Sequence, residues 1–123
     1  MPKKILVVED DADNRRIVAK TLSVEGYEIV EATDGIQALA RALADHPDLI
    51  LMDLALPNMD GWEATRRLKG DPRTRAIPVV ALTAVAMRGD EEQARAAGCD
   101  DYISKPARPA AIREMVRKYT GGI

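Results

Sequence analysis

Aromatic side chains are scarce in this chain of 123 residues, which contains no phenylalanine, one tryptophan and three tyrosines. Its hydrophobic core must therefore be built from Ile, Leu, Val, Ala and Met. The single cysteine, Cys99, excludes an internal disulfide bond, which fits a reducing cytosol, and we expect it to behave as a small apolar group. The length suits one domain and is too short for two ordinary ones, so we expect a single domain over residues 1–123.

Charge and hydropathy exclude several classes of function. The net charge is −2 and the pI is about 5.4, which is too acidic for a dedicated nucleic-acid-binding protein. The longest apolar run falls far short of the roughly 20 residues that a membrane-spanning helix needs. Residues 1–4 lead directly into a strand pattern and leave no room for a signal peptide. We therefore expect a cytoplasmic protein that binds neither nucleic acid nor membrane.

Short apolar runs alternate with helical patterns along the chain. The strand-like runs lie at residues 4–8, 28–32, 49–53, 79–83 and 101–105. The helical patterns lie at residues 12–25, 35–45, 61–69, 90–97 and 109–119. The middle runs show little polar alternation, which is typical of strands covered on both faces of a parallel sheet. The pattern predicts a doubly wound α/β fold with helices on both faces, for which the common strand order is 2-1-3-4-5.

Apolar stripes predict which side of the first two helices faces the sheet. The stripe of the first helix consists of Ile17, Val18, Thr21, Leu22 and Val24. The stripe of the second helix consists of Ile36, Leu39, Ala40 and Leu43. His46 closes the second helix and is expected to lie too far from the strand ends discussed next to serve as a metal ligand.

Acidic residues follow two of the predicted strands directly. The first strand runs into Glu9, Asp10 and Asp11, and the third, the apolar run LILMD, ends in Asp53. In the order 2-1-3-4-5 these two strands are neighbours at the point where the strand order reverses, which is where ligands bind in open α/β sheets. Glu9, Asp10 and Asp53 are therefore predicted to converge, although about 40 residues separate them along the chain.

The predicted cluster has the composition of a phosphoryl-transfer site. Three neighbouring carboxylates repel one another unless a cation neutralises them, and oxygen ligands suit Mg²⁺. The fourth strand ends in Thr83, which offers a hydroxyl, and the fifth ends in Lys105, which offers an ammonium. A carboxylate can act as the nucleophile toward phosphorus, so this combination suggests an aspartyl-phosphate site.

Each of these residues also has an ordinary structural interpretation. An acid at a strand end is commonly a helix cap, and Asp11 or Asp13 is well placed to cap the first helix. Thr83 alone is commonly a strand hydroxyl with a local partner, and a lone lysine such as Lys105 is commonly a solvated surface charge. The functional interpretation depends on all of these groups meeting at one edge of the sheet.

Four segments resemble the receiver domains of two-component response regulators. They are ILVVEDD (5–11), DLILMDLALPNMDG (48–61), VVALTA (79–84) and AGCDDYISKP (97–106). The resemblance covers essentially the whole chain, and the region from 81 to 106 looks most like CheY-like single-domain receivers of the DivK type and receivers attached to hybrid histidine kinases. It implies a flavodoxin-like (βα)5 fold and a role in a bacterial two-component system or phosphorelay.

The resemblance also implies roles for individual residues. Asp53 is the implied phosphoacceptor. The implied Mg²⁺ ligands are Glu9 through water, Asp10, Asp53 and the backbone carbonyl of Ala55. The implied phosphate-binding residues are Thr83, Ala84 and Lys105. The implied switch residues are Thr83 and Tyr102, and the implied cis peptide bond joins Lys105 to Pro106.

The resemblance implies protein partners rather than a separate substrate. A sensor histidine kinase or histidine phosphotransfer protein would supply the phosphoryl group. A downstream protein would bind the face formed by the fourth helix, fifth strand and fifth helix. The chain would be a monomer or a weak phosphorylation-dependent dimer, and it would catalyse only its own phosphorylation and dephosphorylation on Asp53.

Three other functions are weighed against this one. An aspartate-nucleophile phosphatase needs a second acid two residues after its nucleophile, where this chain has Ala55. A flavin or nucleotide carrier needs a Gly-rich or Ser/Thr-rich phosphate loop after the first strand, where this chain has the acidic EDDADN. A degenerate receiver used only as a scaffold would have lost site groups that are all present here.

Overall fold

The computed structural model describes residues 2–54, 56, 59, 61–83, 95–105 and 107–121, without the side chain of Thr83. The strands are β1 (Lys4–Val8), β2 (Glu28–Ala32), β3 (Leu49–Asp53), β4 (Val79–Thr83) and β5 (Asp101–Ser104). Among the described residues, the complete helices are α1 (Ala12–Val24), α2 (Gly35–Asp45), α3 (Gly61–Gly70) and the C-terminal helix (Pro109–Thr120). Of the helix predicted over 90–97, residues 95–97 are described and are helical.

The five strands form one parallel sheet in the order β2-β1-β3-β4-β5, which confirms the predicted topology. β1 pairs with β2 on one side and with β3 on the other, so these are the central neighbours at which the strand order reverses. β4 pairs with β3 and β5, and Thr83 lies opposite Ser104 in that register. The carboxyl ends of β1, β3, β4 and β5 therefore meet along one edge.

Alternate residues of each strand face the two helical layers. On β3, Ile50 and Met52 pack into the cluster that includes residues of α2 and α3. Leu49 and Leu51 pack into the cluster that includes residues of α1 and the C-terminal helix. All four side chains are fully buried. β3 is therefore a central strand covered on both faces, as its unbroken apolar run predicts.

The first helix buries a narrower stripe than its sequence suggests. Val18 and Leu22 are buried, but Ile17 is 54% exposed and Val24 is 78% exposed. Including those two residues in the buried stripe was therefore wrong. Ile17 is rotated about 100° from Val18, and Val24 about 160° from Leu22, because an α-helix has 3.6 residues per turn.

The second helix faces the sheet with its alanines. Ala38 and Ala42 are fully buried, whereas Ile36 is 56% exposed and Ala40 is exposed. The predicted stripe was therefore wrong at Ile36 and Ala40, each of which lies two residues, or about 160°, from Ala38. Small side chains on the buried face let the helix pack closely on the sheet, so the larger Ile36 is directed to solvent.

Local capping sets the ends of the first two helices. The Asp11 carboxylate accepts a hydrogen bond from the backbone N–H of Asn14, so Asp11 is the N-cap of α1. Asp34 caps α2 in the same way through the N–H of Gln37. His46 ends α2 in the left-handed conformation with φ of 46°, which confirms that it closes this helix. Because Asp11 is the cap, Asp10 is not required for that role.

Candidate functional site

The sheet brings the three predicted acids together. Carboxylate oxygens of Glu9, Asp10 and Asp53 lie within 4.8 Å of one another. β1 and β3 are paired in register from Ile5 with Leu49 to Val8 with Met52, so the residues that follow β1 lie beside the last residue of β3. Convergence of these acids therefore follows from the strand order and register.

Two of the three acids are almost completely buried. Asp53 is 3% exposed and Glu9 is 2% exposed, whereas Asp10 is exposed. Burial raises the pKa of the Glu9 carboxyl above its ordinary value, and the nearby charge of Asp53 raises it further, although the hydrogen bond from Lys105 opposes both effects. The site therefore holds an excess of buried negative charge.

The backbone around Asp53 leaves little freedom for its position. The N–H of Leu54 donates to the carbonyl of Leu82 at 3.1 Å, and the N–H of Gly61 donates to the carbonyl of Leu54 at 3.2 Å. A Cβ atom at Gly61 would collide with the carbonyl oxygen of Asp53, so only glycine allows α3 to begin against this strand end. Asp53 is therefore fixed by its own strand, by β4 and by α3.

Lys105 supplies the positive charge of the cluster. Its Nζ atom lies 3.0 Å from Oε2 of Glu9 and 3.0 Å from Oδ2 of Asp53. Burial by itself lowers the pKa of this ammonium, but the hydrogen bonds to Glu9 and Asp53 and their negative charges together outweigh burial and raise the pKa above its ordinary value. Lys105 lies one residue beyond the end of β5 and not within it, which corrects the predicted strand boundary. Its ion pair with Glu9 is a contact that sequence spacing does not indicate.

A cavity of about 460 Å³ opens beside the cluster. Glu9 and Lys105 line its polar side, and the apolar side chains of Ile17, Val18 and Leu82 line much of the remainder. The exposed Ile17 therefore borders the site on α1.

The other predicted site residues divide into two groups. The structure describes Tyr102, which lies on β5 and pairs with Ala81. Its half-buried side chain packs against the hydrophobic core on the side of the sheet that α2 and α3 cover. The backbone of Thr83 is described at the end of β4, beside the strand end that carries Asp53. The predicted site residues outside the described ones are Ala55, Ala84 and Pro106, together with the Thr83 side chain.

The cluster has the groups that bind a hard cation and a phosphoryl group. Three carboxylates at one sheet edge offer oxygen ligands, and a buried carboxylate held by three elements has the fixed position that a nucleophile requires. An ammonium within 3.0 Å of that carboxylate can offset charge on a transferred group.

Comparison with known proteins identifies the family. A model described as the response regulator receiver domain matches residues 5–117. This chain belongs to that family. It is 44% identical to the polar-differentiation response regulator DivK of Brucella anthropi over 98% of each chain. The role in two-component signalling indicated by the resemblance is therefore supported.

Solved receiver structures have the same fold. The receiver domain of a sensor histidine kinase from Pseudomonas aeruginosa superposes with a TM-score of 0.91 at 37% identity, covering 99% of this chain and 100% of that one. That structure is described with a magnesium ion coordinated in the active site cleft. The chemotaxis response regulator CheY4 of Vibrio cholerae has a TM-score of 0.91 at 28% identity, covering 97% and 99% of the two chains. Among the residues described here, no helix is long and apolar enough to cross a membrane.

Proposed function

We propose that Asp53 accepts a phosphoryl group from a phosphohistidine of a sensor histidine kinase or histidine phosphotransfer protein. The observation that carries this proposal is the Asp53 carboxylate, which is 3% exposed at the end of β3 and lies 3.0 Å from Lys105. In the transfer, an Asp53 oxygen forms a bond to phosphorus as the bond from phosphorus to the imidazole nitrogen breaks. The electron pair of that bond remains on the nitrogen of the donor.

The donor set at the sheet edge fits Mg²⁺. Its candidate ligands are the carboxylate oxygens of Asp10, Asp53 and, through water, Glu9. The family resemblance adds the backbone carbonyl of Ala55, which lies outside the described residues. The bound ion would supply positive charge to the phosphoryl oxygens. Asp53 is fixed in place for attack, and Lys105 stabilises the charge that develops on the transferred group.

The cavity lined by Glu9 and Lys105, both of which belong to the acid cluster or contact it, would receive the phosphodonor. Its volume of about 460 Å³ leaves room for an imidazole ring, and its apolar lining would exclude water from the reacting atoms. The chain acts on its own Asp53 and requires no separate substrate, so we propose a signalling switch over residues 1–123 rather than an enzyme.

The phosphorylated state would be communicated through Thr83 and Tyr102. The phosphoryl group would carry about two negative charges and three acceptor oxygens in place of the single charge of the Asp53 carboxylate, and Lys105, the Thr83 hydroxyl and the Ala84 backbone would bind it. Movement of Thr83 would let Tyr102 turn inward, and the downstream protein would bind the face formed by the predicted helix at 90–97, β5 and the C-terminal helix.

The Tyr102→Ala variant should still be phosphorylated on Asp53, but the response of the downstream protein to phosphorylation should be weaker. Retention of both would exclude this coupling.

The phosphoacceptor assignment is tested by intact-mass measurement after incubation with Mg²⁺ and a small phosphodonor such as acetyl phosphate. The wild type should gain a phosphoryl group and Asp53→Asn should not. Asp13→Asn is the matched control, because it changes the net charge by the same amount at an α1 side chain that is 88% exposed. An adduct on both wild type and Asp53→Asn, or on neither, would overturn the assignment.

A further inference from the structure

A guanidinium on the first turns of α1 reaches back to the end of β1. Nη1 of Arg15 donates a hydrogen bond to the backbone carbonyl of Glu9 at 2.9 Å. Nε of the same side chain donates to Oε1 of Glu31 on β2 at 3.1 Å. The Arg15 side chain is only 19% exposed. It is therefore held between the acid cluster and the neighbouring strand, and it is not a freely solvated surface charge.

With this contact, both backbone polar groups of Glu9 have partners. Its N–H donates to the carbonyl of Ala32 at 3.1 Å, which extends the pairing of β1 with β2, and its carbonyl accepts from Arg15. The peptide unit that contains this carbonyl also contains the N–H of Asp10, and peptide units are planar. Fixing the direction of the Glu9 carbonyl therefore fixes the direction in which the backbone enters Asp10.

We propose that Arg15 is a positioning residue for the divalent cation site. It orients the peptide between Glu9 and Asp10 so that the two carboxylates face Asp53, and Glu31 holds the guanidinium in the orientation that this requires. This inference rests on the proposed function, since it concerns the affinity of the same cation site. No sequence pattern marks Arg15, because a hydrogen bond from a long side chain to a backbone carbonyl depends on tertiary structure.

Positioning and simple electrostatics predict opposite results when Arg15 is replaced. Removing a positive charge near three acids makes the site more negative, so Coulomb attraction alone would tighten Mg²⁺ binding in Arg15→Gln. If Arg15 positions the ligands, the same substitution weakens binding, because the ligand backbone loses its fixed orientation. The sign of the change in affinity therefore separates the two explanations.

The chain offers a matched control on the same helix. Arg16 is the next residue, its side chain is 77% exposed, and its ion pair with Asp13 is long, at 3.7 Å. Arg16→Gln changes the charge by the same amount without touching the Glu9 carbonyl. Arg15→Lys is a second variant that keeps the charge but loses the planar fork that contacts Glu9 and Glu31 together.

Mg²⁺ affinity is measured from the increase in the free energy of unfolding with Mg²⁺ concentration, relative to each variant in EDTA. This design separates metal affinity from any change in basal stability. We expect Arg15→Gln to bind Mg²⁺ about tenfold more weakly than wild type, the typical effect of losing an outer-shell partner, and Arg15→Lys also to bind more weakly. Arg16→Gln should match wild type. The phosphorylation rate of Arg15→Gln should recover to that of wild type at saturating Mg²⁺.

Two results would overturn the inference. One is Mg²⁺ affinity in Arg15→Gln that equals or exceeds that of wild type. The other is a phosphorylation defect that persists at saturating Mg²⁺, because Arg15 would then act other than through the cation site. Failure of the proposed function is recognised separately: wild type itself would then show neither stabilisation by Mg²⁺ nor phosphorylation of Asp53.

Discussion

Lys105→Met is predicted to destabilise the protein in a way that depends on pH and on Mg²⁺. The ammonium lies 3.0 Å from carboxylate oxygens of both Glu9 and Asp53, and those residues are 2% and 3% exposed. Methionine has similar length and volume, so the substitution removes the charge while it keeps most of the packing. Two buried carboxylates would then be left without their shared cation.

The size of the effect follows from the burial of the three groups. Leaving a buried charge unpaired costs about 3–5 kcal/mol in proteins. The Lys105 side chain is 23% exposed, so water already screens part of the interaction, and protonation of one carboxylate relieves part of the repulsion. We therefore expect a loss of about 2 kcal/mol in the free energy of unfolding at pH 8 without Mg²⁺.

The pH dependence has a definite sign. In wild type the Glu9 pKa already lies above its ordinary value of 4.5, and the hydrogen bond from Lys105 is one of the effects that keep it from rising further. Removing Lys105 raises this pKa. A carboxyl whose pKa is raised in the folded state does not lower the free energy of unfolding at pH values below its unfolded-state pKa. The free energy of unfolding then falls as the pH rises from the unfolded-state pKa through the folded-state pKa. The free energy of unfolding of Lys105→Met should therefore be close to that of the wild type near pH 4.5 and become lower than it toward pH 8.

Equilibrium unfolding in urea at pH 5 and pH 8, with EDTA or with excess Mg²⁺, measures all of these effects. Excess Mg²⁺ should reduce the deficit at pH 8, because the ion replaces the lost positive charge. Lys20→Met is the control, since Lys20 is an exposed lysine on α1. Two results would contradict this prediction. One is a free energy of unfolding of Lys105→Met equal to that of the wild type at pH 8 without Mg²⁺, and the other is a loss of stability that is the same at both pH values.

Two further predictions concern other parts of the fold. A Cβ atom at Gly35 would collide with the carbonyl oxygen of Met59, so Gly35→Ala should lower the free energy of unfolding by about 1–2 kcal/mol and slow phosphorylation. Gly70 has open space around it, so Gly70→Ala should be neutral or stabilise the protein by up to about 1 kcal/mol. Equal unfolding midpoints for the two variants would contradict this. Burial and the hydrogen bond to Asp101 raise the pKa of Tyr119 to about 12, so Asp101→Asn should lower it. Absorbance titration of tyrosinate measures the change, and an unchanged curve would exclude the contact.

The fold was largely predictable because β1, β3 and β4 are almost continuous apolar runs that alternate with helical patterns. β1, β2, β3 and β4 match their predicted bounds. The alternation of strands with helices predicts a doubly wound sheet, for which the observed order β2-β1-β3-β4-β5 is the common one. The faces of the helices were less predictable. Ile17 and Ile36 are apolar but exposed, because apolar residues on a short helix occupy more of its circumference than the sheet covers.

The positions of site residues were predictable where strand pairing determines them. They were less predictable where the conformation of a long side chain determines them. Convergence of Glu9 and Asp53 follows from strand pairing, and the acid cluster is observed. Lys105 was expected to neutralise Asp53, but its second ion pair, with Glu9, and the contact of Arg15 with the Glu9 carbonyl were not predicted. Each of these side chains has several rotatable bonds, so sequence spacing does not determine where its charge lies.

The charges of the cluster explain why a buried strand can end in an acid. Three carboxylates and one ammonium leave an excess of two negative charges when every acid is ionised, which matches the charge of one divalent cation. Burial raises the pKa of Glu9 above its ordinary value, and the neighbouring charge of Asp53 raises it further. Phosphorylation would replace the single negative charge of the Asp53 carboxylate with about two on the phosphoryl group, a net gain of about one negative charge that Lys105 alone does not offset. On this reasoning we predict that phosphorylation of Asp53 depends strictly on a divalent cation bound beside it.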